Sequence, residues 1–568
     1  MILKSLYDYA QSNSDLLPPP GMEWKEIEFV IVIDSEGNFK RFESKRIDKK
    51  MCVSFLVAAT VQRPSNQYAP NILWDNKKYV LGENGLNEPC NSLFVSMVRK
   101  IAERHKEDAS IKALSAFYNI PYQDREEKMA SDPYYEDVMK TTSNISFRYE
   151  PDDELIAEKK YLYDFILNET ENDKLGRCLI TGTYGPIIRI STPTPLLNNS
   201  PSASLVTFKE KKGYDSYGKS QAYNSPISTE VEEAYSRVLK FFLRKDSQYK
   251  ILIGNRTFLF WGTGNNVINR EIENNLLGLF NDYDQKDTEP YEKIDKVFKI
   301  FKSIYSGKIK TTLDDRFHIL GLAPNIGRIA VVMWMDTQLQ DFAQKIIDHF
   351  DSMELVDIRK PKERCPYVGV YSMVSAVTRG GKISDALSNL IESTMKAVLY
   401  GTPYPYPLFT GAIQRIRAEL CDLGPNIQRV AILKAYLNRQ NKNSQNNKQL
   451  DIMLDKNNTN PGYLCGRLTA VLEKIQSDVN TGDSIRTRYM GAASATPATV
   501  IPAMLNLSLH HSEKLPDDSR RFSRRFYEEL KQEIIDKISE KGFPSHLDLN
   551  DQGRFFVGYY HQRADLYS

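Results

Sequence analysis

Long apolar runs, paired cysteines and a dominant charge are all missing from these 568 residues, and each absence removes a class of protein. No stretch approaches the ~18 consecutive apolar residues that a membrane span requires. The start MILKSLYDYAQ also lacks the basic region and apolar core of a secretory leader, so the chain is expected to stay in the cytoplasm. The six cysteines, Cys52, Cys90, Cys178, Cys365, Cys421 and Cys465, form no CxxC pair and have no histidine at ligand spacing, which points to reduced, buried thiols. Lys+Arg 75 against Asp+Glu 73 leaves a net charge of +2, too little for a chain-wide attraction to nucleic acid.

Motifs of catalysis are missing too. Gly380-Gly381-Lys382 has Ala376 where a phosphate loop needs its first glycine and Ile383 where it needs Ser or Thr. Asp282, Asp284 and Asp287 open like a calcium loop, but Asp287 stands at the glycine position and Lys293 at the closing glutamate. The seven histidines form no HExxH and no nuclease-type pair; Asp348-His349 falls in a helical stretch and reads as a surface pair. There is no GxSxG elbow. No catalytic residue, metal site or cofactor is therefore assigned.

What is present is a soluble, aromatic-rich composition of a size that calls for several domains: 41% hydrophobic, 26% charged, with 32 Tyr and 25 Phe. A short helix at Met1–Gln11 ends at Pro18-Pro19-Pro20-Gly21. A hairpin follows, with Ile27–Ile33 and Phe39–Phe42 about the turn Asp34–Gly37. Helices are expected over Asn91–Arg104 and Pro151–Asn168. Further hairpins pair Arg177–Gly182 with Pro186–Ile190 about a Tyr-Gly turn, Lys250–Ile253 with Thr257–Trp261, and Phe317–Leu322 with Arg328–Trp334. Short connections between neighbouring strands imply antiparallel sheets with helices among them, hence an α+β class.

After about residue 350 the strands are expected to stop. Ile383–Tyr400, Leu408–Leu420 and Asn426–Asn438 have helical spacing, and Gln440–Gln449 reads as a polar linker. Beyond it, Leu464, Leu468, Val471, Leu472 and Ile475 form one helical stripe, and Phe522, Phe526, Leu530, Ile534 and Ile538 another. Thr496-Pro497 suits an N-cap and first turn, and Asp551–Arg563 a last helix. The organisation expected is a mixed N-terminal body at 1–350, a helical connector at 351–450 and an all-α C-terminal bundle at 451–568.

Three segments carry polar chemistry. In Val61–Gly82, Pro64 and Pro70 exclude a helix or a central strand. Ile72, Leu73 and Trp74 can pin the segment to a core. Arg63, Asn66, Gln67, Asn71, Asn76, Lys77 and Lys78 then carry the side-chain types that suit base edges and phosphates. An ordinary ordered loop whose amides satisfy their own backbone explains the same residues. From Lys40 to Lys78 nine basic residues face Glu43, Asp48 and Asp75, a local excess of +6, read either as a phosphate-facing patch or as a solvated surface with mixed partners. The second segment, KEKKGYDSYGKSQAYN, lies between a strand-like Ala203–Phe208 and a helix starting near Ser228, and offers Lys219, Gln221 and Asn224 among tyrosines. The third is Arg486 and Arg488 with Tyr489, ahead of the small-residue run Gly491–Ala495, which helix packing explains as well as a nucleic-acid groove does.

Taken together, LYDYA, PPG with EIEFVIVID, NILWDNKKYVLG, CLITG with GPIIRI, SASLVTF with SYGKSQAYNSPIS, FHILGLAPNIGRIAVVMW, GTPYPYPL with RIRAE, ILKAYLNR, YLCGRLTAVLEKIQ, RTRYMGAASATPA and LNDQGRFFVGYYHQR stand in an order that resembles the large subunit of the type I-C CRISPR surveillance complex, Cascade. The likeness runs over essentially the whole chain. It implies a non-catalytic subunit that reads the protospacer-adjacent motif in double-stranded target DNA, aids strand opening, stabilises the displaced single strand in the R-loop and recruits a helicase–nuclease. The guide RNA reads the rest of the target. It implies backbone and RNA-processing subunits as partners, with RNA processing belonging to another subunit. It also implies a C-terminal domain resembling the complex's small subunit, with Met453 the candidate internal start for a separate small-subunit product. The motif-reading role falls on the Arg63–Lys78 loop, centred on Asn71, Asn76 and Lys77, with Trp74 as strand-separating wedge or core anchor, and Gln221 and Asn224 as second candidates. Arg486 and Arg488 are expected on the displaced strand's backbone. A pure scaffold and a metal-dependent nuclease using Asp282–Asp287 are the competing classes.

Overall fold

The structure, a computed structural model, describes residues 1–48, 51–61, 63, 68–82, 89–162, 174–208, 213, 216–245, 247–264, 267–280, 290–325, 327–358, 360–365, 368–420, 425–441, 449–479, 485–518 and 520–568. They gather into two compact units, Met1–Lys245 and Asp246–Ser568.

The first unit is built on a four-stranded sheet. Its strands β2 (Phe29–Ile33), β3 (Phe39–Ser44), β5 (Trp74–Asn76) and β6 (Asn144–Tyr149) lie in the order β3-β2-β6-β5, while β1 (Met22–Glu26) pairs separately with β4 (Ser54–Ala58). The FVIVI run of β2 is buried at every position because the strand is central and covered on both faces. One face carries Phe94, Val98 and Ile101 of the helix Pro89–Arg104 and Ile111, Leu114 and Phe117 of Ala109–Asn119. The expected hairpin β2–β3 is there, but β2 and β6 run parallel, a departure from a purely antiparallel sheet. Helix Ile2–Ser12 meets Thr229–Leu243 through Tyr9 and Phe242, whose rings lie edge to face at 5.0 Å. Ser228 caps the latter helix by accepting from the Val231 amide at 3.4 Å. A two-stranded hairpin, β7 (Lys174–Arg177) with β8 (Tyr184–Ile187), completes the unit's strands.

Several expectations shift here. Tyr184-Gly185 lies inside β8, the turn being Cys178–Thr183, because Gly182 supplies the left-handed residue (φ +74°). Ala203–Phe208 forms no strand. Of Pro151–Asn168, residues 151–162 give a single 3-10 turn at Ile156–Glu158, and the remainder lies outside the described residues.

The second unit opens on an antiparallel sheet, β9 (Lys250–Ile253), β10 (Arg256–Gly262), β11 (Arg316–Asn325) and β12 (Arg328–Gln338), ordered β12-β11-β10-β9. Alternation places Phe258, Phe260, Phe317 and Ile319 on the face that joins the core with Phe301, Phe342 and Ile346; the Phe317 and Phe342 rings stack at 4.6 Å. Strands do not stop at 350: β13 (Leu355–Asp357) and β14 (Lys360–Cys365) form one more hairpin. Helices Ser388–Tyr400, Tyr406–Ala418, Ile427–Asn441, Pro461–Val479, Ile485–Ala493, Pro497–Ser512, Arg524–Ile535 and Leu549–Leu566 follow. Pro497 does occupy the first turn of its helix, but Thr496 makes no cap bond; its hydroxyl donates back to the Ala492 carbonyl at 3.3 Å. One apolar core runs from Ile251 to Leu566, so the connector helices and the C-terminal helices share it. Most of the polar linker, residues 442–448, lies outside the described residues; Leu450 beyond it is tied back to Asn438 by bonds of 2.7 and 3.0 Å.

Candidate nucleic-acid interface

In Val61–Gly82 the described residues fold around one carboxylate. Asp75, in edge strand β5, accepts through Oδ2 from the Asn71 amide at 2.9 Å and from the Arg63 guanidinium, and through Oδ1 from the Asn76 amide at 2.8 Å. Burial pushes its carboxyl above the ordinary range, against the pull of Asn71 and Arg63. Arg63 also donates to the Ala69 carbonyl at 2.6 Å and lies over the Tyr79 ring at 4.1 Å. Asn71 is buried, and its Oδ1 accepts from the Val61 amide at 2.9 Å.

Trp74 is 1% exposed; its Nε1 donates to the Ala58 carbonyl at 2.9 Å, and Lys25 sits 5.2 Å above its ring. It is the segment's anchor. A wedge needs a displayed ring, and this one is enclosed. Leu73, just before it, is buried and holds a left-handed φ of +61°, uncommon outside glycine, with its carbonyl accepting from the Ser146 hydroxyl at 2.9 Å. Asn76 caps the four-residue helix Lys77–Val80 by accepting from the Lys78 amide at 3.1 Å, and Lys77 donates to the Met139 carbonyl. Lys78 is exposed. Asn66, Gln67 and Pro64 lie outside the described residues. The structure thus brings Arg63, Asn71, Asn76 and Lys77 together, with their polar atoms engaged by the fold itself.

The basic excess at Lys40–Lys78 is offset by acids that chain order hides. Arg46 pairs with Glu28 at 2.6 Å and Asp137 at 3.1 Å, and Lys40 with Asp34 at 3.4 Å. Glu43 gathers Arg41 and Lys45, each at 2.9 Å, and also Arg148. Burial opposes ionisation there, but hydrogen bonds from Arg148 and Lys45 hold the Glu43 carboxyl at about 2. Of the nine cations, Lys40, Arg41, Lys45, Arg46 and Arg63 thus meet a carboxylate, while Lys49 and Lys50 lie outside the described residues.

In the second segment Lys219 is exposed, and Asn224 Nδ2 donates to the Lys219 and Gln221 carbonyls at 3.1 and 2.9 Å, closing the turn Gln221–Asn224. Gln221 and Tyr217 both hold left-handed backbone, φ +50° and +53°, and Tyr217 is fully exposed. Lys209, Lys211, Lys212 and Tyr214 lie outside the described residues. In the third segment, Arg486 turns inward with its Nε 4.0 Å from Glu473, which also accepts from the Tyr559 hydroxyl, while Arg488 is exposed. Two residues apart on a helix, they occupy different faces.

Among the described residues no three His, Cys, Asp or Glu side chains gather as a metal site, and no helix is long and apolar enough to cross a membrane. Asp282, Asp284 and Asp287 lie outside those residues. Cys52, Cys90, Cys178 and Cys465 are free thiols. The family model described as CRISPR-associated protein (Cas_Csd1) matches residues 3–567, and no curated protein matches the chain.

Proposed function

The chain belongs to the CRISPR-associated Csd1 family as a Cascade-type component, and we propose that it is the non-catalytic large subunit of a type I-C complex. In this reading it recognises the protospacer-adjacent motif in duplex DNA, helps to open the strands, steadies the R-loop and receives the helicase–nuclease, all in the cytoplasm beside guide RNA and the backbone and RNA-processing subunits. The observation that carries it is the family match over residues 3–567.

Motif reading is assigned to the longer polar side chains of the Arg63–Lys78 loop. Asn71 and Trp74 are spent on the fold and act as supports. The contacting groups are assigned to Lys78, which is exposed, to Lys77, whose ammonium would exchange the Met139 carbonyl for DNA, to Arg63, and to Asn66, which lies outside the described residues. A loop braced by Asp75 and Trp74 presents such groups at little entropic cost. Arg488, exposed, is assigned to the displaced strand's backbone, with Arg486 holding its helix against Glu473. A product starting at Met453, itself 53% exposed, would keep the five C-terminal helices as a small-subunit-like unit.

The triple variant Asn66→Ala/Lys77→Ala/Lys78→Ala in the assembled complex tests the location. Base contacts are worth about 1–3 kcal/mol each, so preference for motif-bearing duplexes should fall at least about tenfold while other duplexes are bound nearly as before. Equal weakening on every duplex, with a shallower salt dependence, would reduce these residues to phosphate contacts.

A further inference from the structure

The most exposed aromatic side chain among the described residues is not in the loop around Asp75. Tyr217 is 100% exposed, and Tyr184 on β8 is 70% exposed. The antiparallel register sets Tyr184 opposite Arg177 and Pro186 opposite Leu175, so these four share the outer face of the hairpin. All four are exposed, Leu175 at 58%.

The turn carrying Tyr217 is fastened to this hairpin. The Ala222 amide donates to the Arg189 carbonyl at 3.1 Å, the Leu179 amide to Pro226 at 2.9 Å and the Ile188 amide to Ile227 at 3.1 Å, while Lys174 lies 5.2 Å over the Tyr223 ring. Hairpin and turn form one body.

Its charge is mostly basic. Between Lys174 and Ser228 the sequence holds seven basic residues (Lys174, Arg177, Arg189, Lys209, Lys211, Lys212 and Lys219) and two acids, Glu210 and Asp215, a net +5. Among the described residues of this span there is no acid at all, and neither Arg189 nor Lys219, both exposed, meets a carboxylate. In the basic run at Lys40–Lys78, by contrast, Lys40, Arg41, Lys45, Arg46 and Arg63 each meet a carboxylate. Displayed rings beside uncompensated cations suit bases that are out of a duplex: a ring offers a stacking face to any base, and the cations follow the phosphates. An acidic protein surface could use the same cations but would gain less from two fully displayed rings.

We propose that the β7–β8 hairpin and the 216–224 turn form a stacking platform for unpaired nucleic acid, with Tyr184 and Tyr217 taking bases and Arg189 and Lys219 taking phosphates. The platform rests on the proposed nucleic-acid function for the presence of an unpaired strand, but it is separate from the duplex-reading segment, so either can fail alone.

The test is fluorescence anisotropy of the full-length chain with oligodeoxythymidine and oligouridine of roughly 16 nucleotides, the upper length that such grooves follow. Tyr184→Ala and Tyr217→Ala should each weaken binding about tenfold and the double variant about a hundredfold, while the double Phe variant, which keeps both rings, should bind as wild type. Arg189→Glu with Lys219→Glu should lower the slope of log affinity against log salt by about 1.4. The DNA and RNA arms show which strand is preferred. The proposal is overturned if wild type binds neither oligonucleotide, or if the double Ala variant binds them unchanged. It is equally overturned if that variant loses only assembly with other subunits, which would make the surface a protein interface. Discrimination among duplexes by motif should not move in any of these variants.

Discussion

Gly466→Ala is expected to force apart the two helices at the centre of the C-terminal half. A Cβ at Gly466, in Pro461–Val479, would stand 2.0 Å from the Phe555 carbonyl oxygen and 2.9 Å from the Tyr559 nitrogen of Leu549–Leu566. From the other side, a Cβ at Gly558 would meet the Tyr463 carbonyl oxygen at 2.3 Å. These neighbours are backbone atoms in regular helices, so no side chain can swing away; the helices themselves must separate. Both are buried along most of their length, with Tyr463, Leu464, Leu468, Phe555, Phe556 and Tyr559 in the shared core. Overpacking a core by single methylenes costs about 1–3 kcal/mol, and a backbone clash belongs at or beyond the top of that range, about 3 kcal/mol. Gly491→Ala is the control: nothing lies within 4 Å of its Cβ, and in the helix Ile485–Ala493 alanine should instead add up to about 1 kcal/mol. Urea unfolding of the two variants should move in opposite directions. A Gly466→Ala midpoint equal to wild type would mean that the helices are not in this close contact.

The second large effect is acid sensitivity. His349, expected at the surface beside Asp348, is instead enclosed with Nδ1 2.6 Å from the Tyr404 hydroxyl, and His561 is enclosed with Nδ1 3.0 Å from the Tyr463 hydroxyl. Burial pushes both down to about 3, from about 6.5 for an ordinary histidine. A depressed histidine is neutral in the fold while the unfolded chain takes up protons below about 6.5. The stability it contributes is therefore whole above that pH and is lost steadily as pH falls toward 3. Between pH 7 and 5 each site forfeits about 2 kcal/mol, together about 4 kcal/mol. Unfolding measured at both pH values, on wild type and on His349→Gln/His561→Gln, checks this. The double variant should be less stable at pH 7 but should lose about 4 kcal/mol less on acidification. An unchanged loss would show that the two imidazoles are not the source.

Which features could be read from the chain alone depends on how local their causes are. The stripe Leu464–Ile475 and the short runs Thr257–Trp261 and Phe317–Leu322, each beside a turn, specify a helix and strands; these elements appear where expected, with both strand runs buried at every position. The parallel pairing of β2 with β6 joins residues over a hundred positions apart and leaves no local mark. Ala203–Phe208 has the apolar content of a strand but starts in local turns, the Ala203 amide donating to the Ser200 carbonyl and its carbonyl accepting from the Thr194 amide. Tyr184-Gly185 looks like a turn, yet the left-handed glycine that closes the hairpin is Gly182. The short hairpin Leu355–Cys365 is held by long-range burial of Leu355, not by a strong pattern of its own.

The same distinction governs the polar residues. Asn71, Asn76 and Lys77 have the composition of a base-reading loop, but the backbone amides of Asn71 and Asn76 go to the Asp75 carboxylate, their side-chain oxygens accept from the Val61 and Lys78 amides, and the Lys77 ammonium donates to the Met139 carbonyl. Trp74 satisfies its indole on Ala58, and Arg46 finds Asp137 ninety-one positions away. Charge counted along the chain overstated the patch at Lys40–Lys78, which draws Glu28, Asp34 and Asp137 from outside that stretch. It understated the hairpin at Lys174–Ile187, whose exposure the sequence does not display.

The most direct test of the account compares the assembled surveillance complex, with and without this chain, on duplexes that differ only in the few base pairs beside the guide-matched target. The account predicts that the chain confers a preference among them and that Asn66→Ala/Lys77→Ala/Lys78→Ala erases it. A preference that persists without the chain would contradict a motif-reading role and leave it a scaffold.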